Sequence, residues 1–349
     1  MAGTFLQIDG FDSYATASQL SMEYTIPAVA YTCGIITNGG RFGGGCLNLT
    51  GDNSYLQWTD QTGGGLLSEV CTGFAFNLQT THLGATTLVE FACSYGVQCM
   101  IQYNPQTGVW YLTSGLGVVM SFGIYGIPLY VWHWIEVDYN NADGGSAAAW
   151  VNGNEIGFKL ITDDITASAN LSPFGSFFSN VTIGSAFNAG TFYADDWYIA
   201  SVDGPELIGD TRITTLVPVS DAGPNDGTPS TAGPHYLMVN EAQWNSTNSI
   251  TILPATGQEE LFNMTNLTVV GSATVFVMRV ASVIEYQGSG DTGTLFGNSL
   301  TSSGGVTTPG VNLGVEPFTS YLYLDNISTS VGTIAGINNT ACGFGLLVA

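Results

Sequence analysis

Apolar and polar residues alternate along most of this chain in short runs, each closed by Gly, Asn, Asp or Pro. Such a period of two is that of a strand buried on one face. The clearest runs are "TLVEFACSY", "QCMIQYN", "GVWYLTS", "WHWIEVDYN", "AAAWVNG", "FYADDWYIA" and "ATVFVMRVA". Asn152-Gly153 lies between two extended runs and signals a tight hairpin. Cys93 and Cys99 flank "SYGVQ", which reads as another hairpin. No long window keeps a helical period, because Gly or Pro interrupts it; short helical turns are expected only near "SEV" at 68 and "SPFGSFF" at 172. The class is all-β.

Regular strand-turn spacing predicts an antiparallel jelly-roll sandwich over residues 1–203. The Pro- and Gly-rich stretch within 204–234 reads as an ordered connection. A smaller C-terminal β-sandwich is expected over 235–349, with strands resuming at "HYLMVNE" and mobile loops in "QGSGDTGTLFGNSLTSSGG".

Composition narrows the function classes. Only 9% of the 349 residues are charged, the net charge is −23, and the basic residues are Arg41, Lys159, Arg212 and Arg279. Without a basic patch to neutralise phosphates, nucleic acid and anionic membrane surfaces are excluded as partners. Hydrophobic residues make up 45% of the chain, enough to bury a core rather than leave it disordered. No apolar run reaches the roughly 20 residues of a membrane helix. "MAGTFLQIDGFDSY" has no signal-peptide character, so the chain is expected to be made in the cytoplasm and not exported by a signal peptide. The cysteines form no Cys-x-x-Cys pair and are read as reduced, buried thiols.

The chemistry-bearing stretch is "WHWIEVDYNN" at 132. Strand parity puts Trp132, Trp134, Glu136 and Asp138 on one face, and His133, Ile135, Val137 and Tyr139 on the core face. Two carboxylates on one strand suit a sugar-cleaving sandwich and resemble the Glu-x-Asp-x-Glu strand of laminarinase-type glycosidases, but Asn140 stands at the position of that pattern's last acid, and an amide cannot donate its proton. The acids are therefore expected to face water on a structural strand, with no catalytic residues. Trp132, Trp134, Glu136 and Asp138 are retained as glycan contacts, because exposed indoles stack on pyranose faces. His82, His133 and His235 are too dispersed for a metal motif, and "GGRFGGGCLNL" lacks the lysine and helix of a phosphate cradle. Asp195 and Asp196 are the best ion candidates, a calcium site at most; otherwise no cofactor is expected.

"DGFDSY" at 9, "GRFGGGCLNL" at 40, "GFAFNL" at 73, "WHWIEVDYNN" with "AAAWVNGNEI", and "VTIGSAF" with "FYADDWYIAS" follow one another in order. Together they resemble the concanavalin A-like, laminin-G type sandwich of tailed-phage virion proteins. "LIGDTRITTLVPVSDAG", "GQEELFNM" and the terminal "INNTACGFGLLVA" are similar to the β domain that follows it in such proteins. The acidic, Gly-rich stretch after Arg279 departs from that pattern. The resemblance implies a non-enzymatic virion component of head, neck or tail, docking on other virion proteins. Because closed assemblies are symmetric, a homo-oligomer is expected, a trimer by preference; the alternative function is a glycan-binding module for host-surface polysaccharide.

Overall fold

The computed structural model describes residues 4–21, 23–26, 33–51, 54–59, 69–80, 84–93, 96–114, 119–140, 146–160, 180–185, 190–201, 207–241, 248–251, 258–268, 278–279, 284–285, 293–301, 304–307, 311–313, 319–320, 324–325, 334–338 and 341–348. The chain divides into two compact units, Met1–Ile213 and Thr214–Ala349. No described helix is long and apolar enough to cross a membrane.

The first unit contains β1 (Thr4–Asp9), β2 (Cys33–Ile36), β3 (Cys46–Thr50), β4 (Ser54–Thr59), β5 (Glu69–Leu78), β6 (Thr86–Cys93) and β7 (Gly96–Asn104). It continues with β8 (Val109–Ser114), β9 (Val119–Ile124), β10 (Trp132–Asn140), β11 (Ser146–Val151), β12 (Asn154–Leu160), β13 (Asn180–Ser185) and β14 (Thr191–Ser201). One sheet runs β12-β11-β10-β5-β14-β3-β2, with β1 also on β14; the other runs β4-β13-β6-β7-β8-β9. All described pairings between these strands are antiparallel. The fold is an all-β sandwich, as the alternation predicts.

The core forms where the inward faces of the two sheets meet. Phe74, Phe76, Ile135, Val137 and Tyr139 supply one side; Val89, Phe91, Ile101, Trp110, Leu112 and Val181 supply the other. Phe91 stacks on Tyr139 at 4.9 Å, and Phe76 meets Trp110 edge-on at 6.5 Å. The hairpin at Asn152-Gly153 has positive φ at both residues (51° and 78°), as a tight two-residue turn demands. Cys33, Cys46, Cys71 and Cys99 are free and buried, and burial pushes the Cys33 and Cys46 thiols up to about 12. The side chains of Cys93 and Cys342 lie outside the description.

Several expectations need correction. Within 204–234, residues 207–213 belong to the first unit, while Pro218–Asn225 and Thr228–Pro229 are strands of the second. His235–Met238 is a 3-10 turn, and Glu69 and Val70 open β5 instead of a helical turn. Gly293–Thr301 and Gly304–Thr307 are strands, not loops. The segment 172–178 lies outside the described residues, as does most of "VFVMRVASVIEYQ". The second unit's main sheet orders Pro218–Asn225, Gln258–Met264, Ala341–Val348, Gly293–Thr301 and Gly304–Thr307, with Val311–Leu313 also on Gly293–Thr301.

Candidate functional site

The outer face of the larger sheet carries the residues singled out in β10. Ile135, Val137 and Tyr139 enter the core, so Trp132, Trp134, Glu136 and Asp138 share the opposite face, as parity predicts. Register across the sheet then sets rows of side chains. Trp132 opposes Asn77 on β5, Asn77 opposes Tyr193 on β14, and Tyr193 opposes Asn48 on β3. The next row holds Trp134, Ala75 and Asp195; the third holds Trp150, Glu136, Gly73 and Tyr198; the fourth holds Ala148, Asp138, Cys71 and Ala200.

The rows differ in access. In the first, Trp132, Tyr193 and Asn48 are half-buried and Asn77 is buried between Trp132 and Tyr193, leaving a ledge of alternating aromatic and amide groups at one end of the face. Further along, Trp134 is 2% exposed, and Glu136 and Asp138 are 1% exposed. The two acids do not face water, which corrects the expectation. Over Glu136 the cover includes the segment 207–213, which no strand pattern announces.

Glu136 is the anchor of that segment. Its Oε1 accepts from the backbone N–H groups of Ile208 and Gly209, both at 2.9 Å, and from the Tyr198 hydroxyl at 2.7 Å. Gly73 makes this possible: a Cβ there would lie 2.5 Å from the Tyr198 ring, so only glycine lets the phenol cross β5. Tyr198 also stacks on Trp134, with centroids 6.1 Å apart. Asp138 is different. Neither of its carboxylate oxygens has a hydrogen-bond partner, and burial, with Glu69 nearby, pushes its pKa up to about 7. Trp134 Nε1 is likewise buried and unpartnered.

Asp195 and Asp196 sit at a β-bulge in β14, where the register against β5 shifts between Asp195 and Tyr198. Asp196 takes the left-handed conformation (φ 54°), which an aspartate tolerates better than most residues. The bulge keeps Trp197 in the core while Asp195 and Asp196 are both tied to loops of the same unit. Asp195 Oδ2 accepts from Arg41 N at 2.7 Å and its Oδ1 from Asp196 N at 2.8 Å; Asp196 Oδ1 accepts from Ile213 N at 2.7 Å. The Arg41 guanidinium lies 3.9 Å from Asp196 and grips Asp210 with two nitrogens at 2.5 Å. Burial raises both aspartates, and their proximity raises Asp195 further. A guanidinium therefore stands beside the pair that the sequence offers for calcium, and no group of three metal-ligating side chains exists among the described residues.

The loop "GGRFGGG" serves this corner. Gly45 N donates to Asp12 Oδ1 at 2.8 Å, and a Cβ on Gly44 (φ 80°) would lie 2.0 Å from that oxygen. Phe42 is 51% exposed, with the Arg41 and Arg212 guanidiniums 4.8 and 4.5 Å from its centroid. His133 is packed, with Nε2 against Pro128 O (3.3 Å) and Nδ1 against Asn152 Nδ2 (3.0 Å). His235, in the second unit, pairs with the buried Glu260 at 3.0 Å. His82 lies outside the described residues.

Sequence reading reached Trp132, Trp134, Glu136 and Asp138, but missed Asn77, Tyr193, Asn48 and Tyr198, which reach this face from other strands. Only cross-strand register assembles them, and one strand's periodicity does not contain it.

No protein-family model matches the chain, and no curated protein does. Among solved structures it is similar to the cellulose-induced protein Cip1, at 17% identity and a TM-score of 0.39, covering 52% of this chain and 92% of that one. It is similar to an endo-β-1,4-glucuronan lyase from the fungus Trichoderma reesei, at 12% identity and a TM-score of 0.40, covering 57% and 96%. A botulinum neurotoxin serotype D binding domain gives 13% identity and a TM-score of 0.37, covering 52% and 43%. At this identity and TM-score these likenesses carry no statement about function; the sandwich stands on the strand pairing of the chain itself.

Proposed function

We propose that the chain is a non-catalytic recognition protein and that its sandwich unit binds a glycan on the ledge of Trp132, Asn77, Tyr193 and Asn48. The observation that carries this reading is the row itself: aromatic and amide side chains alternate across four adjacent strands. Trp132 and Tyr193 are two strand spacings apart, ~9.6 Å. Aromatic faces at that interval suit pyranose rings, and the half-buried Asn48 amide beside Tyr193 can both donate and accept, as sugar hydroxyls require. The carboxylates argue against hydrolysis: Glu136 is held by three donors and closed from solvent, and Asp138 is equally closed.

The test is a glycan array with wild type, Tyr193→Ala and Trp132→Ala. Wild type is expected to retain a small set of glycans, each substitution weakening them at least tenfold. Silence from wild type, or equal binding by all three, would refute the reading.

A second reading is favoured by the ordered motifs that run through both units: a structural component of a tailed-phage virion, homo-oligomeric and by preference trimeric, displaying the glycan ledge toward the host. Mass spectrometry of purified virions tests it, and absence of the chain from particles would defeat it.

A further inference from the structure

The outer face does not end at the ledge. Along β10 the side chains of Trp132, Trp134, Glu136 and Asp138 continue the same surface in steps of ~6.6 Å. Beyond Trp132 that surface is closed and incompletely satisfied. Trp134 Nε1 needs an acceptor, and the Asp138 carboxyl needs a donor; both are buried and neither has one. Buried polar groups are rarely left so, and two on one face of one strand are a feature to account for. A hydroxyl answers both needs, since it accepts from an indole N–H and donates to a carboxyl.

What closes the surface over Glu136 is held by polar contacts. Three backbone N–H groups of the segment, from Ile208, Gly209 and Ile213, rest on Glu136 and Asp196, and Asp210 is clasped by Arg41. Its apolar burial is incomplete: Leu207 is 40% exposed and Ile208 and Ile213 are half-buried, while the Asp210 side chain is 54% exposed and Arg212 is exposed. A segment fixed by hydrogen bonds that water can replace opens more readily than one fixed by packed side chains.

We propose that residues 207–213 are a displaceable strap and that the face from Trp134 to Asp138 is a second, covered subsite for a hydroxyl-rich saccharide. The subsite extends the ledge and rests on the reading of that ledge as a glycan site. In the closed state a saccharide reaches the ledge alone; with the strap displaced it runs along β10, its hydroxyls donating to the Asp138 carboxyl and accepting from the Trp134 indole N–H. The strap is thereby a built-in brake on affinity.

Two measurements on the full chain decide this. In wild type, hydrogen exchange is followed at the amides of Ile208, Gly209 and Ile213. They are expected to exchange at least 100-fold faster than the β10 amides of Ile135 and Val137. Equal protection would mean that the strap does not open, and the inference falls whether or not any variant folds. In the second, Gly209→Pro with Asp210→Asn opens the strap, because proline lacks the N–H and cannot adopt the φ of 89° found there. Laminarihexaose, cellohexaose, maltohexaose and chitohexaose are titrated by calorimetry against wild type and this variant. A gain of tenfold or more for any of them, abolished by adding Asp138→Ala, supports the subsite. A folded open variant that binds as wild type does would overturn it and leave the ledge reading intact. Silence from both proteins would remove the ledge reading and the subsite together.

Discussion

Asp138 concentrates the chemistry of the outer face in one side chain. It sits opposite Cys71 and Ala148, 1% exposed, with no partner for either oxygen. Burial disfavours its charged form and lifts its pKa to about 7. The folded chain therefore holds a proton there that the unfolded chain, with an ordinary aspartate near 3.9, has lost. Between about pH 4 and pH 7 more protons are bound folded than unfolded, so stability falls as pH rises through that window. Asp195 and Asp196, also raised, push in the same direction. Asp138→Asn is expected to stabilise the protein by about 2 kcal/mol at pH 8 and to change little at pH 4. Urea unfolding at the two pH values checks this. Gly44→Ala acts by sterics instead, since its Cβ would meet Asp12 Oδ1 at 2.0 Å on a left-handed backbone. A loss of about 2–4 kcal/mol is expected in the same assay, because strain and a displaced carboxylate act together.

At the level of elements, the outer face shows what a strand's own sequence does and does not hold. Parity in β10 correctly divides Ile135, Val137 and Tyr139 from Trp134, Glu136 and Asp138, because alternation is a property of one strand. It is silent about Asp196, which escapes its expected side through a bulge, and about Tyr193, which joins Trp132 only through register. The burial of Glu136 was illegible for a related reason: its cover lies some seventy residues away and carries no period of its own. Gly293–Thr301 reads as a loop from its glycines and serines, yet it pairs with Ala341–Val348 on one side and Gly304–Thr307 on the other. Strand propensity yields there to tertiary pairing. The strap supplies the test of this level. Glu136→Ala removes the acceptor of two amides and one phenol, and should cost about 2–4 kcal/mol. Glu136→Gln keeps an acceptor oxygen and should recover about half of that loss, as read from urea midpoints.

For the whole molecule the governing quantity is the net charge of −23, against which Arg41, Lys159, Arg212 and Arg279 are the only basic side chains. Excess like charge works against the compact state, and salt screens it: the Debye length falls from about 30 Å at 0.01 M to about 8 Å at 0.15 M. Among the described residues the Arg41–Asp210 pair opposes it, half open to water at Asp210 and weakened by the same salt. An exposed pair of that kind contributes about 1 kcal/mol at most, whereas the repulsion acts over the entire surface. Repulsion should win, and raising NaCl from about 0.01 to about 0.15 M at pH 7 should raise the melting temperature of the sandwich by about 3 °C, the shift of roughly 1 kcal/mol in a domain of this size. The buried carboxyl acts differently, since its cost is desolvation and bulk ions do not reach it. Asp138→Asn should therefore flatten the pH dependence while leaving the salt dependence unchanged. A salt response that disappears with Asp138 would place the dominant electrostatic strain at that buried carboxyl instead of on the surface, and differential scanning calorimetry of the two proteins at both salt concentrations separates these outcomes.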